Sequence, residues 1–282
     1  MTITLVEEPE AHLHPQYQNT FFEYLNELQS KGLQIFVTSH SPTITAKSDV
    51  DNISVLQRKQ STIRSFSFDE LSEEDYPKES KRHLRKFLDT TKAQLFFANG
   101  VLLVEGVAEA IIIPILAKKF LTEKIDLCKS GIELVNIGGV AFNHFGLLFN
   151  NDDERKRLLS KCAIITDSDP KADGNISDRA KKAKDLEKHN LKVCLAPHTL
   201  EHDLFEESER NQTIMREVYR NMHSQTDDLR GDFNVSTLMD KLESNKDKAE
   251  FALQLYDRFE KEDAFDVPEY IKEAILFVVP TE

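Results

Sequence analysis

The feature that most constrains this chain is a series of short apolar runs separated by helix-length spacers. Residues 100–104, 132–137, 162–166 and 191–195 read GVLLV, IELVNI, CAIIT and LKVCL. Segments with helical patterning lie between them, at 108–120, from 142 to 148, and at 178–190, the last rich in lysine. Parallel strands need a long crossover, and a helix is the usual one. The alternation therefore predicts an α/β domain with a parallel sheet flanked by helices. Pro114 marks a kink or a break in the helix over 108–120. The first 45 residues repeat the pattern once. MTITLV reads as a short buried strand. A helix follows from Pro15, with Phe21, Phe22, Leu25 and Leu28 at helical spacing and Gly32 as its stop. The run 33–37 is a second strand, so this βαβ unit should pair its strands in parallel. Residues 51–67 read as one or two short strands, 68–80 as a polar linker containing Pro77, and 81–94 as a helix. Beyond 206 only helices are expected, at 206–224, 235–243, 248–262 and 268–279.

Composition removes other classes. The 282 residues are 40% hydrophobic and 30% charged, a globular balance rather than a disordered one. No apolar run approaches the roughly 20 residues needed to span a bilayer, and no signal-peptide pattern opens the chain. Cys128, Cys162 and Cys194 are too few and too far apart for a disulfide framework or a zinc cluster. Cys162 and Cys194 fall in apolar stretches and read as buried thiols in a reducing cytoplasm. The 49 acidic and 36 basic residues give a net charge of −13, which argues against a chain that coats nucleic acid. The surplus is local. Residues 206–282 carry 19 acids and 10 bases, whereas 95–205 carry 16 and 15. The C-terminal quarter is therefore expected to face away from DNA or toward a protein partner.

Two groups of residues carry chemistry. Glu7 and Glu8 close the first strand, and Thr38-Ser39-His40 closes the second. Acids at the C-terminal ends of parallel strands face the crevice where ligands bind in open α/β sheets. One acid there can hold Mg²⁺, the next can polarise an attacking water, and a histidine one strand away can reach a γ-phosphate. The alternative is a solvated strand end. LVEEPEAHLHP and VTSHSP resemble the Walker B, D-loop and H-loop half of ABC-type ATPases, in the branch shared with overcoming-lysogenisation-defect (OLD) proteins. On that resemblance Glu7 is the metal-side acid, Glu8 the water-activating acid and His40 the switch histidine. No GxxxxGK[ST] loop is present, so ATP is expected as a cofactor only if a missing phosphate-binding half is supplied. The favoured expectation is a fragment of a longer protein; the alternatives are that another chain supplies the phosphate-binding half or that the lobe is only structural.

The second group lies on the later series. Glu105 ends the strand 100–104, Gly106 permits a tight turn, and Glu109 follows four residues on, within the first helical turn. Glu109 faces the same cleft as Glu105 or merely complements a helix N-terminus. Asp167 and Asp169 follow the strand 162–166 at period two, which puts both on one side of an extended chain. Clustered acids at adjacent strand ends repel one another and are tolerated where a divalent cation neutralises them. A lone DxD is otherwise a turn.

Together with Gly138-Gly139 after the strand 132–137, this set resembles the Toprim domain of topoisomerases, DnaG-type primases and OLD-family nucleases. Glu105 matches the glutamate of its first motif, and Asp167 and Asp169 its DxD motif. The segment from His198 through Thr199, Leu200, Glu201, His202 and Asp203 looks like the TLE-type segment of OLD-family Toprim domains. Lys248-Ala-Glu-Phe-Ala resembles a KGxFA-type motif, with Ala249 in place of the usual glycine. The order of an ATPase half and then Toprim is that of OLD-family nucleases, including the nuclease subunit of the Gabija anti-phage system. The expected fold is thus α/β: a partial ABC-type ATPase lobe (1–67), a linker and helix (68–94), a Toprim core (95–205) and a helical C-terminal part (206–282).

The resemblance implies a metal-dependent DNA endonuclease or nickase in anti-phage defence or DNA processing. One or two Mg²⁺ or Mn²⁺ ions would sit on Glu105, Asp167 and Asp169, with Glu109 and Glu201 completing a second position. Two cations about 4 Å apart would activate water and stabilise the leaving 3′-oxygen. Lys248 would offset charge on the pentacoordinate phosphorus. Since acids repel DNA, basic residues must hold its backbone. Lys81, Arg82, Arg85 and Lys86 form one candidate run, and Arg179, Lys181, Lys182, Lys184 and Lys188 the other. Each run is otherwise a solvated helix face. Expected partners are DNA, further copies of the chain in a dimer or higher oligomer, and a helicase-like protein, with no membrane. The alternative function is a non-catalytic assembly or regulatory subunit of a defence complex. Strand passage would need a nucleophilic tyrosine, and Tyr17, Tyr24, Tyr76, Tyr219, Tyr256 and Tyr270 all fit packing or surface roles. An RNA substrate stays open, because the two-metal chemistry is indifferent to the sugar.

Overall fold

A computed structural model of the chain describes residues 3–122, 124–139, 141–168, 170, 175–223 and 233–280, without the side chains of Pro15 and Asn245. The chain divides into two compact units, residues 1–98 with 151–159, and residues 99–150 with 160–282.

The first unit opens with the expected βαβ. β1 (Ile3–Glu7) and β2 (Gln34–Thr38) pair in parallel, with Leu5 opposite Phe36 and Glu7 opposite Thr38. Between them α1 (Pro15–Ser30) is followed by Gly32, whose φ of +89° only glycine adopts at low cost. The expectation of a buried first strand is corrected. Ile3 is 58%, Leu5 74% and Phe36 52% exposed. Alternate side chains of a strand point to opposite faces, and the described residues cover one face of this two-stranded sheet. After α2 (Pro42–Lys47), β3 (Ser54–Lys59) and β4 (Thr62–Ser67) form an antiparallel hairpin. Residues 68–94, read as a linker and helix, carry part of this unit's core. Phe66, Phe68, Tyr76 and Phe96 meet edge to face, and Leu84 of α3 (Lys78–Phe87) is fully buried. Asp89 starts a separate α4 (Thr90–Ala93) by accepting from the Lys92 amide.

The second unit is a four-stranded sheet in the order β6-β5-β7-β8, parallel throughout. Its strands are β5 (Gly100–Val104), β6 (Ile132–Asn136), β7 (Lys161–Asp167) and β8 (Leu191–Ala196). Every residue of β5 is buried, as for an inner strand covered on both faces. The connections hold α5 (Val107–Lys119), α6 (Phe142–Gly146) and α7 (Asp178–Lys184). Pro114 sits inside α5 without ending it. α7 is shorter than the expected 178–190, because His189 adopts φ +52° and Lys188 bridges to Leu191, which turns the chain into β8. Among the described residues five further helices follow β8: α8 (Leu200–Glu206), α9 (Glu209–Met222), α10 (Val235–Asn245), α11 (Lys248–Phe259) and α12 (Glu269–Val278). α12 lies against β5, β7 and β8, and α11 packs on α5, so the helical C-terminal part completes the core of the sheet. Among the described residues no helix is long and apolar enough to cross a membrane.

Candidate active site

Parallel strands deliver their C-terminal ends to one edge of the sheet, and both acidic groups lie at such edges. In the first unit Glu8 follows β1 with a left-handed φ of +40°, its amide donating to the Thr38 carbonyl at 2.9 Å. This turn sets Glu8 Oε1 3.6 Å from His40 Nε2. Glu7 ends β1 with an exposed side chain. Glu10, which sequence reasoning did not single out, ties the two strand ends together. Its Oε1 accepts from Ser39 Oγ at 2.8 Å and from the His40 amide.

The second unit's site starts at the end of β5. Glu105 Oε1 accepts from Thr166 Oγ1 of the neighbouring β7, and its Oε2 lies 3.2 Å from Arg179 Nη1. Arg179 also donates to the Asp167 carbonyl at 3.3 Å, so its guanidinium serves the acids here. The Gly138-Gly139 turn explains the NIGG pattern. Both residues have positive φ, +68° and +126°, and the Gly139 amide donates to the Glu105 carbonyl at 3.0 Å.

Gly106 then lets Glu109 fold back over the start of α5, since a β-carbon there would lie 2.7 Å from Glu109 Oε2. Burial pushes the Glu109 carboxyl above its ordinary range, and the charges of Glu201 and Glu105 push it further, against an opposing pull from Lys248. Glu105, Glu109, Glu201 and Lys248 therefore share one electrostatic neighbourhood. Glu201 is 6% exposed in the first turn of α8 and makes no hydrogen bond or ion pair among the described residues. Lys248 opens α11, its Nζ 3.8 Å from Glu243. Asp167 ends β7, while Asp169 lies outside the described residues.

Tyr270 and Thr166 are the residues sequence reasoning missed. Tyr270 comes from the VPEYI segment of α12, is 9% exposed, and has a hydroxyl with no hydrogen-bond partner among the described residues. Burial raises its hydroxyl well above the ordinary value, and the charges of Asp203, Asp167, Glu109 and Glu201 add to this. The hydroxyl thus stays protonated, a donor held among four carboxylates. Its signal was a lone tyrosine in an apolar segment, indistinguishable from packing without the fold. The donor set is all oxygen. Three buried or partly buried carboxylates, two of which raise the proton affinity of the third, Glu109, fit a hard divalent cation.

Of the basic runs, Lys81 is bound to Asp51 at 3.0 Å and to the Phe68 carbonyl at 2.9 Å, and Arg85 pairs with Asp49 and Asp51. Lys184 pairs with Glu187 at 2.8 Å. Arg82, Lys86, Lys181 and Lys182 are exposed and have no acidic partner among the described residues.

The chain matches known proteins in the same two places. Residues 96–169 match the family model "Overcoming lysogenization defect protein-like, TOPRIM domain", and residues 1–46 match "AAA domain, putative AbiEii toxin, Type IV TA system". The Old nuclease of Escherichia phage P2 is 29% identical over 166 residues, covering 58% of this chain. Endonuclease GajA of Bacillus cereus (strain HuB5-5) is 28% identical over 202 residues, covering 64% of this chain. The match spans 28% of the length of each relative. The C-terminal region of the Burkholderia pseudomallei OLD protein superposes with a TM-score of 0.50 at 21% identity, covering 64% of this chain and 97% of that one, a likeness of fold. This protein is similar to the OLD-family nucleases, with an AAA-type segment over residues 1–46 and an OLD-like Toprim segment over residues 96–169.

Proposed function

We propose that the second unit is the cleavage centre of a metal-dependent DNA endonuclease or nickase acting in anti-phage defence or DNA processing. The observation that supports this reading is geometric: Glu105, at the end of β5, is held by Thr166 of the neighbouring β7 and by Arg179, Glu109 folds back over Gly106, and Asp167 closes β7. Glu105, Glu109, Glu201 and Asp167, with Asp169, would hold one or two Mg²⁺ or Mn²⁺ ions. Bound there, the cation would supply an activated water and neutralise charge at the leaving 3′-oxygen. The chain's own residues do the rest. Thr166 and Arg179 fix the two oxygens of Glu105, so its carboxylate is oriented before substrate arrives. Lys248 would offset charge on the phosphate under attack. Tyr270 offers a protonated hydroxyl inside the acid cluster. Arg82, Lys86, Lys181 and Lys182 would hold the DNA backbone, and Arg179 would divide its charge between Glu105 and phosphate. In the first unit Glu7, Glu8 and His40 would serve ATP turnover once a phosphate-binding half is supplied. Further copies of the chain and a helicase-like protein are the proposed partners.

The test is plasmid cleavage by the intact chain in Mg²⁺ or Mn²⁺, beside Glu105→Ala and Asp167→Ala. Nicking should fall by about 100-fold or more in each variant. Cleavage at the wild-type rate in both would remove this site from the reaction.

A further inference from the structure

The turn from β8 into α8 gathers a second donor set whose chemistry differs from that of the carboxylate cluster. His198 lies in the turn, and His202 and Asp203 lie on α8. Nδ1 of His198 is 3.2 Å from Asp203 Oδ1, and Nδ1 of His202 is 3.3 Å from the same oxygen. The two imidazoles stack with centroids 3.9 Å apart, and one ligand atom from each of the three residues lies within 4.8 Å of the others.

These separations are long for hydrogen bonds, which run about 2.7–3.2 Å, and they also match the spacing of ligands around one ion. A tetrahedral zinc ion with bonds of about 2.0 Å sets its ligand atoms roughly 3.3 Å apart. Asp203 is held in place for this. Its side chain is 7% exposed, and Oδ2 accepts from the His198 amide at 3.2 Å. His198 is 50% exposed, which leaves the cluster open to solvent on one side for entry of an ion and for a water in the fourth position. Two imidazoles and one carboxylate suit Zn²⁺ and its neighbours, whereas the all-oxygen set suits Mg²⁺ or Mn²⁺. On α8 residues 201 and 203 leave the axis about 200° apart, so Glu201 and Asp203 serve different sides of the helix.

We propose that His198, His202 and Asp203 form a binding site for one divalent cation of the Zn²⁺ class, separate from the carboxylate centre. Bound there, the ion ties the end of β8 to the first turns of α8, the segment that carries Glu201. The site is a positioning device for that segment, and it stands whether or not the chain cleaves DNA.

The test uses the full chain, stripped with EDTA and kept in excess Mg²⁺ so that the carboxylate centre is occupied. Co²⁺ is titrated in, followed by visible absorption, and Zn²⁺ is then added as competitor. One Co²⁺ per chain should bind with a nitrogen-ligand spectrum and be displaced by Zn²⁺. Loss of an outer-shell partner weakens metal binding by about 10–100-fold, so removing a ligand in His198→Ala or His202→Ala should cost about 100-fold or more. Glu105→Gln should bind Co²⁺ as the wild type does. Hydrogen exchange over 198–203 should slow on Zn²⁺ addition in the wild type and not in His198→Ala. His198→Gln, at an exposed position, repeats the loss in a second variant whose fold is checked by circular dichroism. Equal Co²⁺ uptake by the wild type and both histidine variants would overturn the proposal. So would absence of uptake in Mg²⁺, or loss of the signal in Glu105→Gln alone.

Discussion

Glu109 shows how a single side chain is set by its neighbours. Its carboxyl is raised first by burial and then by Glu201 and Glu105, so its ionised form is disfavoured in the folded chain. A raised carboxyl contributes less stability once it ionises, because the folded state then holds the less favoured form. Glu109→Gln should therefore stabilise the cation-free chain at pH 7 by about 1 kcal/mol, read as a higher melting temperature in EDTA. The same variant should lose the stabilisation that Mg²⁺ gives the wild type. The two buried cysteines are set first by burial, with the charge of Glu273 adding to it at Cys194. Cys162 is pushed well up and Cys194 to about 12, while Cys128 is exposed. One thiol per native chain should react rapidly with a thiol reagent at pH 8, and Cys128→Ser should abolish that fast phase. At this scale the sequence displayed Glu105, Glu109, Asp167 and Glu201 as acids near strand or helix ends. Thr166 and Tyr270 were not legible, because a threonine closing a strand and a tyrosine in an apolar helix look like packing. Only their distance to Glu105 or to the acid cluster distinguishes them.

At the scale of elements, the strands were legible to within a residue or two, since a run of five apolar residues between turn signals leaves few alternatives. Helix ends were less so. The expected helix over 81–94 breaks at Leu88, where Asp89 caps a new start, and the helix over 178–190 stops at Lys184. Both breaks depend on local hydrogen bonds rather than on apolar periodicity. Packing of α5 against α11 depends on a lysine that composition would assign to the surface. Lys119 Nζ donates to the carbonyls of Phe259, Glu260 and Glu262 at 2.7–2.9 Å, closing the end of α11. Lys119→Met should cost about 1–3 kcal/mol in urea unfolding. A loss no larger than that of an exposed lysine, such as Lys181→Met, would remove this role.

For the whole molecule, the net charge of −13 is carried mainly by the helical C-terminal part, and the carboxylate site lies in a segment whose charges nearly balance. The first unit incorporates a distant piece of chain through charge. Lys156 approaches Asp75 at 2.7 Å, and Asn151 donates to the same carboxylate. Lys156, with Ser72 and Asn151, holds the Asp75 carboxyl far below the usual carboxylate range. A lowered folded-state value adds stability that is complete above about pH 4 and is lost as pH falls through the folded value. Asp75→Asn should therefore destabilise the chain at pH 7, and its deficit against the wild type should begin to narrow only below about pH 4, measured by urea unfolding at pH 7 and over a series of acid pH values. The amino-acid sequence by itself determined the α/β alternation, the parallel pairing and the acids at the strand ends, because these follow from periodicity and from the short range of turn signals. Only the tertiary structure decided what stands beside what. It recruited 151–159 into the first unit, left Leu5 and Phe36 exposed, and laid α12 across β5 so closely that a β-carbon at Gly100 would lie 2.3 Å from the Val278 carbonyl oxygen. It also brought Tyr270 from near the end of the chain to the acids, and His198 and His202 to one oxygen of Asp203. The physical reason is range: propensity and pattern act over a few residues, whereas burial and charge act through space between residues far apart in the chain.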